Sequence, residues 1–126
     1  MNNTGIRVFV VDDDAEVAVT LSAILRINGF DSESFTDPVE ALASALVRPP
    51  DLLLSDVVMP QLSGIDLAMQ VKSLCPGCKV MLFSGHVETL DFQRDANRLG
   101  DNFHIMPKPV NPSDLLGAIR AQGLAN

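Results

Sequence analysis

Four places in this chain carry side chains suited to a small, highly charged anion, and each follows a short apolar run. The acidic triplet Asp12, Asp13 and Asp14 ends the run Ile6 to Val11, and Asp56 ends Leu52 to Ser55. Ser84 ends Lys79 to Phe83, and Lys108 follows Asn102 to Met106 by way of Pro107. If these places converge, several carboxylates stand together and repel, raising at least one pKa unless something neutralises them. A hard divalent cation does so, and Mg2+ fits because it takes oxygen ligands in octahedral geometry, usually one or two carboxylates with waters and phosphate oxygens. Asp13 and Asp56 could bind it directly, with Asp12 reaching it through water. Lys108 as a point charge and Ser84 as a hydrogen-bond donor suit the oxygens of a phosphoryl group. With the charge so held, an aspartate carboxylate can act as a nucleophile and accept that group, and Asp56 stands nearest the middle of the set.

Convergence depends on the elements between these places. Ile6 to Val11 has the nearly continuous apolar pattern of a parallel strand buried on both faces. Val17, Leu21, Ile24, Leu25 and Asn28 recur at helical spacing up to Gly29, which predicts a helix over roughly 14 to 28. Phe30 to Phe35 alternates like an edge strand. Asp37, Pro38 and Glu40 then supply a cap, a first-position proline and a capping box for a helix to about Val47. Leu52 to Ser55 and Lys79 to Phe83 are further strands, separated by a helix that Ser63 and Asp66 open and that runs to about Leu74. A weaker helical pattern extends from His86 to Leu99, and Asn102 to Met106 is a fifth strand. Asn111 and Pro112 repeat the cap-plus-proline signal before a final helix with Leu115, Leu116 and Ile119 on its apolar side, fraying near Gly123.

Five strands alternating with five helices predict an α/β domain, an open parallel sheet covered on both faces. Sites in such sheets form outside the carboxyl ends of the strands, where the chain order reverses. The acidic triplet, Asp56, Ser84 and Lys108 therefore fall on one rim. Without repeats, low-complexity tracts or linkers, the expectation is a single domain over 1–126 with no output domain.

In this order and spacing the chain resembles the receiver domains of two-component response regulators. The matching pieces are Asp12 and Asp13 after VFVV; LLLSDVVMPQLSG, with Asp56 followed by Met59, Pro60 and Gly64; LFSGH with Ser84; and Lys108 with Pro109. The resemblance implies a doubly wound, flavodoxin-like five-stranded sheet of order 2-1-3-4-5. It implies a signalling module that takes a phosphoryl group from a phosphohistidine of a sensor histidine kinase or phosphotransfer protein onto Asp56, with Mg2+, and loses it to water. Output would be phosphorylation-dependent binding of a downstream protein, so the chain reads as a phosphoacceptor regulator and not an enzyme acting on outside substrates. The family pattern places the metal on Asp13, Asp56 and the Val58 backbone carbonyl, and makes the Lys108–Pro109 bond commonly cis. Val58 and His86 stand where the family borders the path of the attacking water, although His86 reads equally as a solvent-exposed helix-start residue. The pattern is broken at Ile105, where the family often has a Tyr or Phe ring that swings inward. Phe103 lies on the same strand face as Ile105 and His104 on the other, which leaves Ser84 as the remaining half of such a switch. A homodimer through the last strand and helices is left open.

Composition agrees with this reading. The 126 residues are 47% hydrophobic and 20% charged, enough for a packed core, and the net charge of -7 disfavours direct nucleic-acid or anionic-membrane binding. No apolar stretch reaches membrane-spanning length and no signal-peptide pattern opens the chain, so a cytoplasmic location is expected. Cys75 and Cys78 have redox-motif spacing but follow a helix and precede a strand, near the negative end of the helix dipole, which favours a structural role. The methionines read as core. A rival reading is a phosphohydrolase of the haloacid dehalogenase type using Asp12 and Asp14 as an Asp-x-Asp pair. It leaves the Asp56 loop unexplained, and the chain has little room for that family's cap insertion.

Overall fold

A computed structural model describes residues 4–85 and 104–124 of the chain. Its elements are β1 (Arg7–Val11), α1 (Ala15–Ile27), β2 (Asp31–Phe35), α2 (Pro38–Val47), β3 (Leu52–Asp56), α3 (Gly64–Leu74), β4 (Lys79–Ser84), β5 (His104–Pro107) and α4 (Pro112–Ala121). The described residues thus hold four helices. The helix expected from His86 to Leu99 lies outside them, as do Asn102 and Phe103 at the start of the expected fifth strand.

The five strands form one sheet in the order β2-β1-β3-β4-β5, and every neighbouring pair is parallel. The chain reverses direction across the sheet between β1 and β3, which is where a crevice opens at the carboxyl ends of the strands. Strand residues alternate between the two faces, as the pleat demands. Val8, Val10, Leu52, Leu54, Met81 and Phe83 pack with Leu21 and Leu25 of α1 and with Leu115 and Ile119 of α4. Phe9, Val11, Leu53, Val80 and Leu82 pack with Ala41 and Ala45 of α2 and with Leu67, Ala68 and Val71 of α3. Two cores, one on each face, account for the continuous apolar runs of the central strands.

Each helix begins where its side-chain chemistry requires. Asp14 accepts from the Glu16 N–H, Asp37 from Val39, Ser63 from Asp66, and Asn111 from Ser113 and Asp114, relieving the open N–H groups of each first turn. Gly29, with φ 91°, follows α1 in the left-handed conformation that glycine adopts freely. Two expectations need correction. Asn28 does not extend the buried stripe of α1 but caps it, donating its side-chain amide to the Ile24 carbonyl at 2.8 Å, while Ala18 and Ser22 are buried. Ser22 is accommodated because its hydroxyl meets that of Ser32 on β2 at 2.8 Å. Met69, read as core, is instead exposed on α3, whereas Met59, Met81 and Met106 are buried. Among the described residues, no helix is long and apolar enough to cross a membrane.

Candidate functional site

β1 delivers the acidic triplet and β3 delivers Asp56 to the crevice between these neighbouring strands. Asp12 is completely buried and Asp56 is 6% exposed, whereas Asp13 stands open to solvent. A carboxylate oxygen of each lies within 4.8 Å of the other two. Asp12 also spends Oδ1 on the backbone, accepting from the Asp14 N–H at 2.9 Å, which fixes the turn out of β1. Asp14 turns away to cap α1 through its own Oδ1, so the Asp12 and Asp14 pair does not face one centre as a hydrolase of the rival type would need.

Lys108 reaches this cluster from the end of β5. Its Nζ stands 2.9 Å from Asp12 Oδ2 and 3.2 Å from Asp56 Oδ2, where it donates a hydrogen bond. The Lys108 N–H donates to the Ser84 carbonyl at 3.0 Å, tying the β5 end to the β4 end, and the Lys108–Pro109 peptide is cis. Ser84 is 1% exposed at the tip of β4, the strand next to β3. Val58, two residues beyond Asp56, is 53% exposed at the mouth. Ile105 is half-buried against the α2 and α3 face of the sheet. His86 lies outside the described residues.

Burial, followed by the neighbouring Asp12 charge and to a lesser degree Asp13, raises the Asp56 carboxyl above its ordinary 3.8; the hydrogen bond and charge of Lys108 oppose but do not cancel this. Burial alone would pull Lys108 down, yet its bonds to Asp12 and Asp56 outweigh that and leave it above its ordinary value. One ammonium therefore leaves the three carboxylates under-neutralised. Three clustered carboxylates, one open to solvent, form the hard, oxygen-rich donor set that suits Mg2+ and would suit a thiophilic metal poorly.

Two features of the site show only in the folded chain. Gly64 presses against the end of β3: a Cβ there would collide with the Asp56 carbonyl oxygen and come within 2.8 Å of its carbon. The Gly64 N–H donates to the Val57 carbonyl at 2.8 Å, and Gln61, with φ 72°, turns the intervening chain, the Leu62 N–H reaching the Pro60 carbonyl at 2.8 Å. Phe83 belongs to the core, but its ring also faces the site, with Lys108 Nζ 5.3 Å from the ring centroid. The only cue for that contact was an aromatic residue next to Ser84.

The cysteine pair lies outside this site. Both thiols are free, and Cys78 Sγ donates to the Lys79 carbonyl at 3.2 Å. Burial, aided by the neighbouring Cys75, pushes the Cys78 thiol up to about 12, so it stays protonated and inert.

Comparison with known proteins follows the same lines. A sequence profile described as the response regulator receiver domain matches residues 8–120. The DNA-binding response regulator MtrA of Mycobacterium tuberculosis is 31% identical over 116 residues, which are 92% of this chain and 50% of that protein. The response regulator MprA of Mycobacterium leprae is 31% identical over 115 residues, 91% of this chain and 50% of that one. The chain thus spans about half the length of the curated relatives it matches. Among solved structures, a CheY-like response regulator receiver domain protein from Methanospirillum hungatei superposes with a TM-score of 0.85 at 29% identity, covering 93% of this chain and 92% of that one. The chemotaxis response regulator CheY4 of Vibrio cholerae gives 0.81 at 25% identity, covering 92% and 97%.

Proposed function

Because the chain belongs to the response regulator receiver domain family, we propose that it is the phosphoacceptor module of a two-component phosphorelay, with Asp56 as the acceptor. The observation that carries this reading is the meeting of Asp12, Asp13, Asp56 and Lys108 at the carboxyl ends of β1, β3 and β5.

Asp56 offers a carboxylate oxygen to the phosphorus of a phosphohistidine on a sensor kinase or phosphotransfer protein. A P–O bond forms as the P–N bond breaks, and the electron pair leaves with the imidazole nitrogen, which then takes a proton. Lys108 follows the charge from the Asp56 oxygen to a phosphoryl oxygen, a short move for an ammonium already within reach of both acids. Ser84 supplies a hydroxyl to another phosphoryl oxygen. Asp13, Asp56 and the Val58 carbonyl would hold Mg2+, with Asp12 through water, and the cation supplies charge neutralisation for the carboxylates and the phosphoryl oxygens. Hydrolysis reverses the loading: water attacks phosphorus, the bond to Asp56 breaks, and inorganic phosphate leaves. Val58, open at the mouth, and His86 tune access of that water. Since Ile105 offers no ring to swing inward, the change passed to a downstream protein originates at Ser84 and Lys108.

The test is exposure of the protein to acetyl phosphate with and without Mg2+, followed by intact-mass spectrometry. One added phosphoryl group, dependent on Mg2+ and lost in Asp56→Asn, is expected. Metal-independent loading, or turnover of an external phosphomonoester, would overturn the reading.

A further inference from the structure

We infer that Phe83 is a positioning residue for phosphoryl uptake, its ring face holding the Lys108 ammonium at the site; this rests on the reading of Asp56 as acceptor. The ring centroid lies 5.3 Å from Nζ, within the roughly 6 Å over which an aromatic face attracts a cation. Phe83 is itself enclosed by the core. It is completely buried on β4, packed in the core beside Met81, Met106 and Leu115, and paired in register with Asp56 of β3 and Met106 of β5. The ring is therefore fixed to the same two strands that carry the acceptor and the lysine.

A lysine needs such a support. Its ammonium sits on a flexible four-carbon stem, and ordering that stem costs conformational entropy. Asp12 and Asp56 order it before the reaction, but Asp56 gives up its carboxylate charge when it becomes an acyl phosphate. The ring is unchanged by the chemistry. It attracts the ammonium equally before and after transfer, so Lys108 can exchange one oxygen for another without leaving its place. A leucine or methionine would fill the core at this position; only an aromatic side chain also presents a negative face to the cation.

Fluorination separates these two roles, because it drains charge from the ring face while nearly preserving ring shape. Phenylalanine carrying one, two or three fluorines is introduced at position 83 alone, and the rate of Asp56 loading by acetyl phosphate with Mg2+ is measured beside the urea midpoint. The logarithm of the rate should fall in step with fluorine number, by about fivefold in all, with the midpoint nearly constant. Phe83→Leu should match the slowest member and abolish the upfield ring-current shift of the Lys108 Cε protons. A rate indifferent to fluorination, or Cε protons unshifted in the wild-type protein, overturns this inference alone. A wild-type protein that accepts no phosphoryl group overturns the Asp56 reading and this inference with it.

Discussion

Lys108 Nζ meets Asp56 Oδ2 at 3.2 Å although the two residues are 52 positions apart in the chain. The parallel register produces the meeting. Asp56 pairs with Phe83 across β3 and β4, and Ser84 pairs with Pro107 across β4 and β5, so the ends of the three strands lie level and the next residue after β5 turns over the rim. Asp12, one residue beyond β1, completes the arrangement from the other side of β3.

Lys108→Ala removes the cation from a completely buried Asp12 and a nearly buried Asp56. The unpaired charges should lower metal-free stability by about 2 kcal/mol, less than for a fully buried pair because the Lys108 side chain is 26% exposed. Urea unfolding should reveal this loss, and millimolar Mg2+ should recover most of it. The variant should still accept a phosphoryl group from a small donor. Amide chemical-shift changes around Ser84 on phosphorylation should shrink; shifts equal to those of the wild-type protein would contradict the role given to Lys108.

The raised Asp56 pKa makes a pH prediction. The folded carboxyl holds its proton more tightly than the unfolded one, so stability falls as pH rises from about the unfolded value of 3.8 through the higher folded value. The penalty is absent below that window and complete above it. Without divalent cation, wild-type protein should therefore lose stability relative to Asp56→Asn across the window, as followed by urea titrations at successive pH values. Mg2+ should remove the difference or reverse it.

Much of this arrangement was legible in the sequence because parallel strands announce themselves as continuous apolar runs, and their final residues fall on one rim. The caps Asp14, Asp37, Ser63 and Asn111 were equally readable, each being a short polar side chain placed just before a helical stripe. Less visible were contacts that depend on how one element leans on another. The burial of Ser22 on α1 was not readable because its partner, Ser32, belongs to a different element. The aromatic residue next to Ser84 does not by itself reveal that the lysine following β5 passes its ring. Met69 is flexible and apolar, a type equally at home inside or on a helix surface.

Gly64→Ala should be costly out of proportion to one methyl group. The new Cβ would strike the Asp56 carbonyl, and relief requires moving either the start of α3 or the end of β3. A loss of about 2 kcal/mol or more is expected in urea unfolding, together with slower loading of Asp56. Wild-type stability in this variant would mean that the loop yields more easily than its hydrogen bonds suggest.

The most direct measurement maps the modified side chain. Protein loaded with acetyl phosphate and Mg2+ is reduced with borohydride, which converts an aspartyl phosphate to homoserine, and is then digested and sequenced by tandem mass spectrometry. Homoserine at position 56, with aspartate retained at positions 12 and 13, is the predicted result. Homoserine at position 12, or at neither, would contradict the assignment of Asp56 as the phosphoacceptor.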